Sequence, residues 1–441
     1  EIRYLHERRN ELGGYLPSRH SEVELLETPK LDAFEKQMED TGKREISTTM
    51  AFVRILSNLA KDKAIGQRIV PIVPDEARTF GMEGMCRELG IYSPVGQKYT
   101  PVDSDQIMYY KESDSGQILE EGINEAGAMS SWLACATSYS HSKYSMVPFY
   151  IYYSMFGFQR IGDLAWAGGD LQARGFLIGA TAGRTTLNGE GLQHQDGHSH
   201  VMAATIPNCR SYDPTFSFEL AVIIQDGIER MYGKGENCFY YLTTMNENYH
   251  HPAMPEGAEE GIIKGLYLLE SGEKDKGARV QLMGSGTILT EVRTAAKMLK
   301  EDWGIDSDVW SVPSVNEVYR EAKDCERWNT LHPEQEPRVP YLTSVMAPYE
   351  GPRVIATDYI HAHCEQLRPF VEGTYRVLGT DGFGRSDTRE KLREFFEVDS
   401  RYIVVNALSA LMEEGKVEAA TVSQAISKYG IDPEKPNPTT V

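Results

Sequence analysis

No stretch of this 441-residue chain is apolar for long enough to cross a bilayer. The longest apolar run, 146–158 (MVPFYIYYSMFGF), contains a proline and falls well short of about 20 residues. Cysteine is scarce and dispersed, with six residues at 86, 135, 209, 238, 325 and 364 and no CxxC pair. That spacing favours reduced thiols in a cytoplasmic enzyme over a disulfide framework or a zinc site. Basic residues are outnumbered, 45 against 65, and the formal charge of −20 argues against a nucleic-acid partner, whose phosphates need a basic face. Internal repeats and low-complexity tracts are also lacking. No initiator methionine opens the sequence, and no signal peptide is expected in it. It opens EIRYLHERRN, charged and helical, which suggests a piece of a longer protein.

What is present is the composition of a folded protein, 41% hydrophobic with 10% aromatics, in a chain too long for one ordinary core. Residues 1–45 are charged and weakly patterned and lead into the first domain. Apolar residues then fall at Phe52, Val53, Leu56, Leu59 and Ala60 after a Ser/Thr cap, which is helical spacing. Strands are predicted at 69–73, 146–153, 176–181, 201–206 and 237–244. Helices are predicted at about 77–89, 124–140, 155–171 and 214–232. Such alternation predicts a mostly parallel, doubly wound α/β sheet. The proline- and glycine-rich stretch 250–261 (HHPAMPEGAEEG) reads as a domain boundary. Beyond it a second α/β pattern begins, with strands at 279–284, 308–312, 353–358 and 375–379. Its helices are predicted at 287–300, 388–396, 400–414 and 420–429. The chain divides as 1–25 linker, 26–254 first domain and 255–441 second domain.

In open α/β sheets ligands gather beyond the carboxyl ends of strands. Three polar or aromatic groups fall at such ends: Asp75 with Glu76, Tyr153 with Phe156, and the loop 183–200 (GRTTLNGEGLQHQDGHSH). The loop holds three histidines, two carboxylates and four glycines. His194 and His198 have the spacing of zinc ligands on a helix, but the glycines oppose a helix and no cysteine completes a set. Two readings stay open. One is a polar loop with solvated histidines; in the other, glycines bring backbone close to a ligand on which His194 and Glu190 act. Glu125 opens a helix predicted to be apolar on most faces. It is either a carboxylate favoured by the helix dipole or a buried carboxyl that shares a proton with a ligand. The GSG at 284–286 lacks the third glycine of a dinucleotide fingerprint and reads as a tight turn. Asp387 with Glu390 reads as a capping box.

Six segments together resemble one family. DEARTFGMEG (75–84), EGINEAG (121–127), PFYIYYSMFGFQRIGDLAWA (148–167), the histidine loop, TTMNENYHHPAMPEGAEEGI (243–262) and VLGTDGFGRSD (377–387) are similar to the homodimeric bacterial pyruvate dehydrogenases. The resemblance covers nearly the whole chain. It implies the second and third of three domains, a pyrimidine-binding domain for thiamine diphosphate followed by a transketolase-like carboxyl-terminal domain. It also implies decarboxylation of pyruvate and transfer of the acetyl group to the lipoyl group of a dihydrolipoyl acetyltransferase. By this resemblance Glu125 bonds the cofactor's pyrimidine N1′ and Phe156 stacks on the ring. Tyr153 and His194 hold the substrate, Glu190 orients His194, and Asp75 or Glu76 anchors a mobile loop at 95–111. The GDG motif that would hold magnesium and the diphosphate does not occur here, so Mg2+ ligands are expected outside this chain. A transketolase-like or other 2-oxo-acid enzyme, and a non-catalytic assembly half-chain, are the rival readings.

Overall fold

The computed structural model describes residues 1–12, 22–74, 77–102, 110–273 and 277–441. Two parallel-stranded sheets organise it. The first is built from β1 (Ile69–Val73), β2 (Leu119–Glu120), β3 (Val147–Tyr153), β4 (Phe176–Ala180), β5 (Cys209–Tyr212) and β6 (Phe239–Thr243). They lie in the order β2-β1-β3-β4-β6-β5, every pair parallel. Runs such as VPFYIYY and FLIGA are buried almost throughout, as strands covered on both faces must be. Alternate side chains serve opposite faces. Phe149 and Ile151 pack with Ile55, Leu56, Leu220 and Ile224 of the helices Thr48–Ala60 and Ser217–Ile228. Tyr150 and Tyr152 pack with Met129, Trp132, Ile161 and Ala165 of the helices Glu125–Ala136 and Gly157–Asp170.

The second sheet contains β7 (Tyr267–Glu270), β8 (Arg279–Gly284), β9 (Asp306–Ser311), β10 (Arg353–Ala356) and β11 (Tyr375–Leu378). Its order is β11-β10-β8-β9-β7, parallel except for the edge strand β7. The helices Ile288–Trp303 and Ser400–Glu413 cover one face and Val315–Leu331 the other. One continuous apolar cluster runs from Phe149 and Phe176 of the first sheet to Val280 and Leu282 of the second, so the two units meet across a packed seam. All six cysteines are free thiols. Among the described residues no helix is long and apolar enough to cross a membrane.

Several local expectations change. The segment predicted as a strand at 201–206 holds a short helix, Ser199–Ala203, and the strand is β5, beyond Pro207. Asp196 Oδ1 accepts from the His198 and Ser199 amides, 3.0 Å each, and turns the chain there. The helix expected at 77–89 begins only at Glu83, after Gly81 at φ +71°. The one expected at 124–140 breaks at Thr137 and is buried on one face only, through Ala128, Met129, Trp132 and Ala136. The capping residue before Arg389 is Thr388, whose hydroxyl accepts from the Lys391 amide, and not Asp387. The helix Val315–Leu331 has no counterpart in the sequence reading. Its buried apolar positions, Val315, Val318, Ala322 and Cys325, are spaced among charges.

Candidate active site

Because the first sheet is wholly parallel, its strands deliver their carboxyl ends to one edge, and the site residues collect there. Tyr153 is the last residue of β3 and Phe156 closes the single turn Ser154–Phe156 that follows. The loop after β4 folds back so that the His194 ring stacks on Tyr153, with centroids 4.9 Å apart and planes 18° apart. His194 also meets Phe156 edge-to-face at 5.2 Å, and Tyr153 meets Phe156 at 6.0 Å. Glu190 Oε2 lies 3.1 Å from His194 Nδ1.

Glu125 reaches the same cluster from the helix Glu125–Ala136. Asn124 caps that helix by accepting from the Gly127 amide, and the Tyr150 hydroxyl donates to the Glu125 carbonyl at 3.4 Å. The Glu125 side chain is largely enclosed, 13% exposed, and Arg160 Nη1 donates to its Oε1 at 2.5 Å. The guanidinium of Arg160 lies 4.0 Å above the Phe156 ring, so one arginine spans the carboxylate and the aromatic face. Arg160 was not singled out in the sequence. Its signal is its place four residues after Phe156, one helical turn on.

The three histidines of the loop go to three settings. His194 joins the aromatic cluster, and His198 Nε2 accepts from the Gln159 side-chain Nε2 at 2.6 Å. His200 is fully buried between the Ser211 and Thr243 hydroxyls and stacks on His363. Burial, with His363 alongside, holds His200 well below the ordinary histidine range, and burial lowers His363 to about 4. They do not converge as zinc ligands. Among the described residues no group of three or more His, Cys, Asp or Glu is placed to hold a metal ion. Asp75 and Glu76, and positions 103–109 of the loop 95–111, lie outside the described residues.

Beneath the loop, at the seam, is a buried polar layer that sequence reading missed. Asp213 Oδ1 accepts from Thr243 Oγ1 at 2.6 Å and its Oδ2 from Ser285 Oγ at 2.8 Å. Burial raises Asp213 to about 7, against the effect of these bonds and helped by the nearby charge of Asp358. Asp358, also fully enclosed, is raised by the same cause.

The site thus joins aromatic faces, a hydrogen-bonded histidine and an enclosed carboxylate at the carboxyl edge of a parallel sheet. A family model described as the pyruvate dehydrogenase E1 component middle domain matches residues 26–252. A model of the transketolase-like C-terminal domain matches residues 265–399. The pyruvate dehydrogenase E1 component of Pseudomonas aeruginosa is 62% identical over 439 residues, covering 99% of this chain and 50% of the relative. That of Escherichia coli strain K12 is 61% identical, covering 99% and 49%. The chain therefore spans about half the length of the curated relatives it matches. A transketolase from Campylobacter jejuni superposes with a TM-score of 0.62 at 17% identity, covering 86% of this chain and 49% of that one, a likeness of fold. By these matches the chain belongs to the pyruvate dehydrogenase E1 component family, of which it carries the middle and transketolase-like C-terminal domains.

Proposed function

We propose that this chain supplies the pyrimidine-binding half of a thiamine-diphosphate site in a pyruvate dehydrogenase. The acetyl group would pass to the lipoyl group of a dihydrolipoyl acetyltransferase, and two copies would assemble as a homodimer. The division into 1–25, 26–254 and 255–441 belongs to the same proposal. The observation that carries it is Arg160, which links the Glu125 carboxylate to the Phe156 face, beside the stacked Tyr153–His194 pair. An aminopyrimidine is flat and presents a ring nitrogen and an amino group. An aromatic face and a carboxylate in one cluster suit it.

When bound, the cofactor would supply the electron sink for loss of carbon dioxide from a 2-oxo acid. Glu125 would form a hydrogen bond with the ring nitrogen. Its partial enclosure makes that hydrogen bond stronger than one in water. Phe156 would fix the plane of the ring. His194, with Nδ1 directed at Glu190, would offer Nε2 to a substrate oxygen, and Tyr153 would brace the imidazole by stacking. By the family resemblance, the diphosphate and its metal would be held by residues outside the matched middle and C-terminal domains.

Titration calorimetry of the 441-residue chain with thiamine diphosphate and magnesium is the test, followed by pyruvate turnover with an artificial electron acceptor. The chain is expected to be folded, dimeric and inactive, and to become active with pyruvate when joined to the diphosphate-binding domain of a relative. Turnover of longer 2-oxo acids in preference to pyruvate would favour the rival enzyme. Micromolar, magnesium-dependent binding and turnover by the chain alone would refute the half-site.

A further inference from the structure

The loop that carries His194 is rooted in the first unit but fastened to the second. At its base the Ala182 amide bonds Thr244 O across to β6 at 3.0 Å. From residue 184 onward, hydrogen bonds run to the transketolase-like unit. Asp358, which follows β10, accepts from the Thr185 amide at 2.8 Å, the Thr185 hydroxyl at 2.7 Å and the Thr186 hydroxyl at 2.7 Å. Further along, the Gly189 amide bonds Asp387 O at 2.9 Å and the Ile360 amide bonds Gly197 O at 2.8 Å. The Gln195 side chain exchanges hydrogen bonds with both the amide and the carbonyl of Arg385. These contacts bracket residue 194 on either side. Gly183 lets the chain turn into the clamp. It sits at φ +89°, and a Cβ there would lie 2.2 Å from Asp358 Oδ2.

We propose that Asp358 is a positioning residue for the active-site histidine, and that the transketolase-like unit serves the chemistry by clamping the 183–200 loop. Asp358 touches neither substrate nor cofactor on this reading, which rests on the assignment of His194 made above. Fully buried and 0% exposed, it accepts three hydrogen bonds from two consecutive threonines and so fixes where the loop leaves the sheet. Without it the Thr185 amide is left unpaired in the seam. The Gln195 and Gly189 contacts then hold a loop whose root is free to shift.

The test separates the clamp from the chemistry. Hydrogen exchange is measured by mass spectrometry on the 441-residue chain as wild type, Asp358→Ala and Asp358→Asn. Asparagine keeps an acceptor for Thr185 and a donor for Thr186 and is expected to preserve the loop. In the alanine variant protection is expected to fall across 184–197 while β3, β4, β8 and β10 keep theirs. Thr185→Val, which deletes one hydroxyl and keeps the shape, gives a partial loss and serves if the alanine variant does not fold. In the enzyme completed with its diphosphate-binding domain, kcat for pyruvate is expected to fall about 10- to 100-fold with Asp358→Ala. Thiamine diphosphate affinity should be unchanged and Asp358→Asn should restore the rate. Unaltered exchange in both Asp358→Ala and Thr185→Val overturns the clamp. A loosened loop with unchanged kcat overturns its role in positioning. If the wild-type completed enzyme shows no cofactor-dependent turnover, the functional assignment fails while the exchange result still decides the clamp.

Discussion

Replacing Asp213 by asparagine should make the protein respond differently to pH, by an amount the seam sets. Asp213 is 3% exposed and lies under the histidine loop, and burial lifts its carboxyl from 3.8 to about 7. In the unfolded chain the group ionises near 3.8. Its contribution to stability is therefore complete below that pH, is lost progressively as pH rises, and is gone above about 7. Three pH units at about 1.4 kcal/mol each make about 4 kcal/mol in all, of which about 3 kcal/mol is traversed between pH 5 and 8. Asparagine resembles the protonated acid in shape. It keeps an acceptor for Thr243, and the Ser285 hydroxyl can turn to accept from its amide. The variant should lack this loss. At about 2.1 cal/mol/K of unfolding entropy per residue, about 3 kcal/mol corresponds to about 3 °C in a chain of this length. Scanning calorimetry of both proteins from pH 5 to 8, at several scan rates, should show the asparagine variant gaining about that much on the wild type. Parallel curves of Tm against pH would refute a carboxyl kept neutral by the seam.

In the completed enzyme, Glu125→Ala should lower cofactor-dependent decarboxylation by orders of magnitude with the fold intact by circular dichroism; near-normal turnover removes Glu125 from the site. His194→Ala should impair pyruvate steps more than thiamine diphosphate binding, read from pyruvate kinetics beside a cofactor titration. Added zinc should restore nothing, and a collapse of cofactor affinity with pyruvate handling spared would reverse the assignment.

By itself the sequence determined the two-sheet α/β architecture, because strands buried on both faces must be apolar throughout and their helices must repeat near 3.6 residues. Val147–Tyr153, Phe176–Ala180 and Phe239–Thr243 stand within two residues of their predicted bounds for that reason. It also singled out Tyr153, Phe156, Glu190 and His194, since chemistry-bearing residues after a parallel strand fall at the ligand edge. Where local signals compete, the sequence reading failed. The stretch at 201–206 looks β-like until Asp196 turns it into a helix, and Val315–Leu331 hides its four buried apolar positions among charges. Tertiary structure alone decided the rest. Arg160 reaches Glu125 across 35 residues of chain, and Asp358 reaches Thr185 across 173, so neither pairing has a local trace. Burial, too, is a property of the assembled seam, and only there does an ordinary aspartate such as Asp213 become an acid that ionises near neutral pH.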